Sequence, residues 1–340
     1  LISLDIPPYL TTRLELALLA GSPKIFIDST CISGVTSLSL QSGIINNLGE
    51  EMRITNKYNL PVALTNAMMK DDYSKGASEY SVTGLLQPPR VALLREQYED
   101  EIEIDISDKM YTFLGTALHK VLEAAGMPAN NTAEERLYAE VEGSKISGQI
   151  DVQERTPAGT VIWDYKVTSV WSVINEKTEW VEQLNMYKWF VETVKQERVV
   201  ALKVCAFLRD WSKNGNGANY PDASIVVVDI PVWSATGTEA FIRSRLNAHK
   251  MAKMAKDFGE ELPLCSNQER WMSETTFAVK REGRKTAIRV LTSEQEAKEM
   301  AAKENGYVET RLGEPRRCAG NYCQVSQWCS QYNGEKNESA

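Results

Sequence analysis

Apolar side chains recur at helical spacing in Met110, Phe113, Leu114, Ala117, Leu118, Val121 and Leu122, which predicts an amphipathic helix over 109–125 that stops near Gly126. The pattern then changes. Apolar runs at 137–154 and 160–168, parted by Thr156-Pro157-Ala158-Gly159, predict a strand, a turn and a second strand. A helical period returns over 176–197. It is followed by a β-rich run from Val199 to Leu208, a Gly- and Asn-rich loop at 212–218, a strand over 224–232 and a helix over 239–258. Beyond these come a hairpin around Glu282-Gly283, a helix over 293–305 and a cysteine-rich end. Upstream, Ser81 or Thr83 is placed to cap a short helix that Pro88-Pro89 stops. Helices interleaved with strands in this order predict an α/β fold, a central mixed sheet flanked by helices.

Residues 1–51 show neither a clear period nor a capping pattern. Met52 opens the regular text, and Gly49-Glu50-Glu51 before it is encodable by a purine-rich stretch of the kind that bacterial ribosomes bind ahead of a start codon. The expectation is therefore a non-native or poorly ordered extension over 1–51. A helical part over 52–108, a core over 109–235 and a C-terminal helical part over 236–340 follow.

Composition narrows the class. With 43% hydrophobic and 25% charged residues in 340, global disorder is excluded. No run of eighteen apolar residues occurs, which predicts a soluble cytoplasmic protein with no membrane partner. A net charge of −8 argues weakly against nucleic acid. The objection is limited, because bound divalent cations supply positive charge where a phosphate sits. Basic residues do cluster at Lys280, Arg281, Arg284 and Lys285 and at Arg316 and Arg317, where a solvated surface explains them equally well.

The sharpest chemical signal is Gly148-Gln149-Ile150-Asp151 followed, after a turn, by Trp163-Asp164-Tyr165-Lys166. Two adjacent strands bring one carboxylate each to a common point, and Asp164 and Lys166, two residues apart, share a strand face. Phosphodiester hydrolysis needs such a set: carboxylates to hold Mg²⁺ or Mn²⁺, and a lysine to assist the attacking water. A lone D-x-K triplet means little. Its weight comes from the Asp151 strand thirteen residues earlier and from the helix bearing Gly115 and His119 before both. Glu135, Glu140 and Glu142 offer a further acid without distinguishing among themselves.

Gly115-Thr116-Ala117-Leu118-His119, Gly148-Gln149-Ile150-Asp151, Asp164-Tyr165-Lys166 and Gln183-Leu184-Asn185-Met186-Tyr187 resemble, in order and spacing, the motifs of RecB-like PD-(D/E)XK nucleases. The resemblance spans about residues 75–335. It implies a restriction-endonuclease-like fold and metal binding by His119, Asp151, Asp164 and the Tyr165 backbone carbonyl. It also implies catalysis by Lys166 together with Asp151 and Asp164, and DNA contacts from Gln183 and Tyr187, one helical turn apart. The expected activity is Mg²⁺- or Mn²⁺-dependent exonucleolytic hydrolysis of DNA, acting on single-stranded ends in recombination, repair or phage DNA processing. The alternative is a catalytically idle DNA- or protein-binding module of the same fold. No G-x-x-x-x-G-K-[ST] loop occurs, so any helicase or recombination partner is a separate chain.

Cys318, Cys323 and Cys329 crowd into twelve residues, which points to metal before disulfides. The chain is similar here to RecB-like nucleases with iron–sulfur clusters, including AddB-type and CRISPR-associated exonucleases. In those the distant fourth cysteine generally precedes the core; this chain has Gln87-Pro88-Pro89 there instead. Cys265, after a Pro-marked loop, is the preferred fourth ligand, Cys205 reads as a buried small hydrophobe, and Cys31 falls within the excluded extension. A [4Fe–4S] cluster is expected, with structural Zn²⁺ as the alternative, in either case tying the last segment to the fold.

Overall fold

The computed structural model describes residues 53–70, 74–175 and 177–338, together with the two-residue strand Ile44–Ile45. The chain divides into Leu1–Gln41, which lies outside the described residues along with Cys31, and Ser42–Ala340, to which everything below refers. Most of the segment expected to be an extension therefore lies outside the described residues, but Ile44–Ile45 pairs antiparallel with Arg53–Thr55.

The centre is a six-stranded mixed sheet. Its long strand Ser144–Thr156 is covered on one edge by Asn131–Val141, antiparallel. Its other edge is shared. Tyr80–Ser81 pairs parallel with Ile146 and Ser147, while Gly159–Thr168 pairs antiparallel only from Val152 to Thr156. Between those two pairings, over residues 148–151, that edge has no partner strand. Val199–Leu208 then runs parallel to Gly159–Thr168, with Ile225–Ile230 antiparallel beyond it.

The sheet's apolar side chains are covered by the helices Thr178–Phe190 and Ala235–Asp257. Ile146, Ile150, Ile162, Leu202 and Val204 pack with Leu184, Met186, Phe190, Ile242 and Leu246, all essentially without solvent exposure. At roughly 1.5–3 kcal/mol for each large apolar side chain fully buried, this layer dominates the cohesion of the sheet. The predicted short helix forms as Val82–Leu86, with Ser81 Oγ accepting from the Gly84 N–H at 3.1 Å. Pro88 ends it, and Pro89, whose missing N–H costs nothing at a helix start, opens Pro89–Gln97.

Two sequence expectations change. The run at 137–154 is not one strand: Glu142 and Gly143 take left-handed φ values of 49° and 75° and fold it into a hairpin. Two consecutive left-handed residues match the twist of flanking strands, and the apolar run hid that turn. The helix expected over 176–197 is α-helical only over Thr178–Phe190, continues as a π-turn over Val191–Lys195 and stops at Gln196, φ 57°.

Two small sheets flank the centre. Arg53–Thr55 lies parallel to Glu103–Asp105 over a core of Ile54, Met68, Met69 and Ile106. Thr276–Lys280, Arg289–Leu291 and Tyr307–Arg311 carry the helix Glu294–Lys303 on a separate core of Val279, Ala297 and Ala301. Among the described residues no helix is long and apolar enough to cross a membrane.

Candidate active site

The unpaired stretch of the Ser144–Thr156 strand opens into a cleft of about 720 Å³, lined among others by His119, Glu134, Asp151, Asp164, Lys166, Gln183 and Tyr187. Its origin is the parting of two strands. Val152 is still paired with Trp163, so Asp151 and Asp164 are the first residues past the end of the ladder, on the same side of the sheet. The next ladder bond is replaced by a side chain: Tyr165 N–H donates to Asp151 Oδ2 at 2.7 Å.

The donors then converge. His119, on the helix Met110–Ala124, places Nε2 3.3 Å from the Tyr165 carbonyl oxygen and 3.7 Å from Asp151 Oδ2. Ligands at right angles around a cation with bonds of about 2.1 Å lie about 3 Å apart, so Nε2 stands close to coordination-shell spacing from each oxygen. Asp164 is 1% exposed. Lys166 Nζ makes a charge contact 2.8 Å from its Oδ2, yet that oxygen has no aligned hydrogen-bond donor among the described residues. A buried carboxylate held by a single ammonium keeps lone pairs that a divalent cation would use. The donor set therefore fits a hard cation with one imidazole, and the nitrogen suits Mn²⁺ at least as well as Mg²⁺.

Electrostatics agree with the geometry. Burial, and then the charge of Asp164, push the Asp151 carboxyl well above the usual range. Burial alone would pull the Lys166 ammonium down, but Asp164 and then Asp151 hold it above its ordinary value. His119 is raised to about 9, first by its hydrogen bond with Glu134 and against the effect of burial.

Glu134 is the residue that sequence reasoning missed, having weighed Glu135, Glu140 and Glu142 instead. Its Oε1 lies 3.0 Å from His119 Nδ1, the ring nitrogen facing away from Asp151 and Tyr165. Its Oε2 accepts from Gln149 Nε2 at 2.8 Å, and Gln149 Oε1 in turn accepts from Arg136 Nη2 at 2.5 Å. A carboxylate on the second nitrogen fixes the ring's orientation and tautomer and leaves Nε2 for a metal. Glu134 does this from a left-handed φ of 51° inside a strand, a local distortion that composition does not disclose. Glu135 turns instead to Lys195 at 2.6 Å, and Glu142 to Arg243 at 3.1 Å.

Gln183 and Tyr187 line the cleft on the helix Thr178–Phe190. Gln183 Oε1 accepts from Lys166 Nζ at 3.1 Å and its Nε2 donates to Tyr187 Oη at 2.7 Å, so the pair also steadies the lysine. Gly148 explains itself: a Cβ there would stand 3.1 Å from the Tyr187 ring and 3.2 Å from a Val82 methyl.

Cys265, Cys318, Cys323 and Cys329 line one small, nearly closed cavity, with Val325, Leu94 and Tyr332. Cys205 lies apart, on the strand Val199–Leu208. Burial foremost pushes Cys265 up to about 12 and Cys318 to about 11, so without a metal these are thiols. Arg90, 2% exposed and just after Gln87-Pro88-Pro89, donates from Nε to Cys329 Sγ at 3.3 Å. Its Nη1 donates to the Leu262 carbonyl at 2.6 Å, and its Nη2 to Glu261 at 2.8 Å and to Ser330. Four thiols around one pocket suit a soft metal centre. Tetrahedral zinc at about 2.3 Å would draw its sulfurs to within about 3.8 Å of one another. Among the described residues, three ligand atoms within 4.8 Å of one another are found at His119, Glu134 and Asp151.

Comparison with known proteins was made on sequence and on fold. The family model of the PD-(D/E)XK nuclease superfamily matches residues 88–330. Curated proteins give no significant match. Among solved structures, that of SSO0001 is 17% identical with a TM-score of 0.36, covering 54% of this chain and 81% of that one. A protein from Eubacterium rectale, provisionally assigned as an exonuclease, is 12% identical with a TM-score of 0.26, covering 59% of this chain and 74% of that one.

Proposed function

We propose that this chain, which belongs to the PD-(D/E)XK nuclease superfamily, is a Mg²⁺- or Mn²⁺-dependent deoxyribonuclease. It digests DNA from its ends, single-stranded ends above all, in recombination, repair or phage DNA processing, and works beside a separate helicase or recombination protein. The observation that carries the reading is the convergence of His119 Nε2 on the Tyr165 carbonyl oxygen and Asp151 Oδ2, beside the buried Asp164 carboxylate that Lys166 contacts at 2.8 Å.

His119 Nε2, Asp151, Asp164 and the Tyr165 carbonyl would hold the cation. When bound, the cation polarises the scissile phosphate and acidifies a water. Lys166, held above its ordinary pKa by Asp164 and Asp151, remains an ammonium at neutral pH and acts by charge. It donates to a phosphate oxygen or to the attacking water and is a poor proton acceptor. Gln183 keeps that ammonium in place, and Tyr187 keeps Gln183. Glu134 is a positioning residue, acting through His119.

The cysteine pocket is assigned a [4Fe–4S] cluster on Cys265, Cys318, Cys323 and Cys329, with structural Zn²⁺ as the alternative, on the resemblance of the cysteine run to iron–sulfur nucleases and on the four residues lining one cavity. Its role is cohesion, tying the loop before Cys265 and the last segment to the helix Pro89–Gln97.

The test is digestion of end-labelled linear single- and double-stranded DNA by anaerobically purified protein with Mg²⁺, Mn²⁺ or EDTA, beside Lys166→Ala. Metal-dependent loss of label, absent in the variant, is expected. Intact DNA throughout, from folded and metal-loaded protein, would leave an idle binding module.

A further inference from the structure

Next to the cysteine pocket, two large aromatic rings face solvent. Trp271 is 45% and Tyr322 68% exposed. Their ring centroids are 5.3 Å apart, tilted by 54°, and the Arg317 guanidinium lies 5.6 Å from the Trp271 centroid. Exposure of bulky rings is ordinary singly, but this group is built.

Trp271 sits at a left-handed φ of 52°, a conformation that a bulky residue adopts only where its surroundings hold it. Trp271 N–H donates to the Gln268 carbonyl at 3.0 Å, Met272 N–H to Asn267 at 2.9 Å, and Arg317 N–H to the Arg270 carbonyl at 3.0 Å. On the other side, Tyr322 is presented by the loop between Cys318 and Cys323, where Asn321 is also left-handed at φ 59°. Gly320 lets the ring lie close, since a Cβ there would stand 2.8 Å from it. Exposed Arg316 adds a second cation.

One short helix links the group to the cleft. The helix Val82–Leu86 begins beside cleft-lining Ser81 and ends at Gln87, whose Oε1 accepts from Arg317 Nη2 at 3.5 Å. Five helical residues span about 7.5 Å.

We propose that Trp271, Tyr322 and Arg317 form a stacking platform for unpaired bases of a DNA strand, with Arg316 facing its phosphates. The inference rests on the nuclease reading and supplies what the acidic cleft lacks, a surface that holds single-stranded DNA whatever its sequence. Aromatic faces stack on any base, and guanidinium planes add to this. The cysteine loop gains a second purpose, since holding Cys318 and Cys323 holds Tyr322.

The test uses the whole metal-loaded protein and a fluorescent oligothymidylate, read by anisotropy in Ca²⁺, with cleavage in Mn²⁺ measured in parallel. Trp271→Ala and Tyr322→Ala are each expected to weaken binding about ten-fold, with iron content and Tm unchanged. Trp271→Phe with Tyr322→Phe keeps the affinity. Unchanged binding by both alanine variants, in a protein whose wild type binds and cuts DNA, overturns the platform alone. If the wild type neither binds nor cuts, the nuclease reading falls and the platform with it. Should Trp271→Ala fail to fold, Tyr322→Ala, at an exposed side chain, decides the matter by itself.

Discussion

The acidic cleft and the cysteine pocket are both ligand sets drawn from distant segments, but they differ in what holds their donors without a ligand. In the cleft, Asp151 accepts from a backbone N–H, His119 is held by Glu134, and Lys166 by Gln183. These contacts rest on strands and helices of the main core. In the pocket, the side chains of Cys265, Cys318, Cys323 and Cys329 line a small cavity, where Arg90 Nε donates to Cys329 and the Val325 N–H to Cys323. The fold organises the first site in advance, as the proposed chemistry needs. The cluster proposed for the second would instead add cohesion to the segments it joins.

The sharpest way to break this contrast is Asp151→Asn. Loss of a metal ligand forfeits several kcal/mol of transition-state stabilisation, so cleavage should fall on the order of a thousand-fold in single-turnover assays. The Tm in EDTA should hold or rise, because an amide oxygen still accepts from Tyr165 N–H while the repulsion with Asp164 disappears. A Tm drop of more than about 5 °C would mean that the cleft, too, holds the fold together.

Cys329→Ala should do the reverse. Removing one thiolate ligand is expected to deplete the bound metal and lower Tm by about 10 °C or more. Full metal content and an unchanged melt would remove the distinction between the two sites.

Glu134→Gln probes how far the cleft is preorganised. Losing the carboxylate behind a ligating histidine should weaken Mn²⁺ binding about 10- to 100-fold, with cleavage restored at high Mn²⁺. The pH dependence follows from the same contact. Glu134 raises His119 to about 9, and Asp151 is raised as well, so metal must displace protons at neutral pH. Affinity should fall as pH drops below about 9, with proton uptake by buffer visible in titration calorimetry. In Glu134→Gln that dependence should move to lower pH. An identical proton count in the two proteins would contradict the arrangement.

The smallest effect lies away from both sites. Burial would raise Asp105, but the Lys57 N–H, the Ser107 hydroxyl and N–H and the Thr55 hydroxyl outweigh it and hold the carboxyl at about 2. A depressed value stabilises the fold above the ordinary carboxylate range, and the benefit is lost as pH falls through about 2. Asp105→Asn should cost about 1 kcal/mol at neutral pH, with urea midpoints of the two proteins converging as pH drops from about 4 to about 2. Because the change touches neither metal site, it also measures what an ordinary structural carboxylate is worth here.

Much of the fold was legible because it follows from local period. The helix Met110–Ala124, the strands Gly159–Thr168 and Val199–Leu208 and the capped helix at Val82 fall where apolar spacing and capping residues put them. The degree of burial was not. The helix carrying His119 buries no side chain fully, and its Val121 is 66% exposed, despite an apolar stripe. The Glu142-Gly143 turn was hidden inside an apolar run, because its signature is a pair of backbone angles.

The sequence by itself determined which residue types share a strand face or a helical turn: Asp164 with Lys166, and Gln183 with Tyr187. It also set Cys318, Cys323 and Cys329 within twelve residues of one another. Such relations span a few residues, where covalent geometry and helical or strand period leave little freedom. Only the tertiary structure decided that the Ser144–Thr156 strand parts from its neighbour at Asp151, that Glu134 rather than Glu135 meets His119, and that Arg90 lies against Cys329. Those depend on where a ladder ends and on one left-handed residue, both set by packing across the sheet, and no residue pattern along the chain encodes them locally.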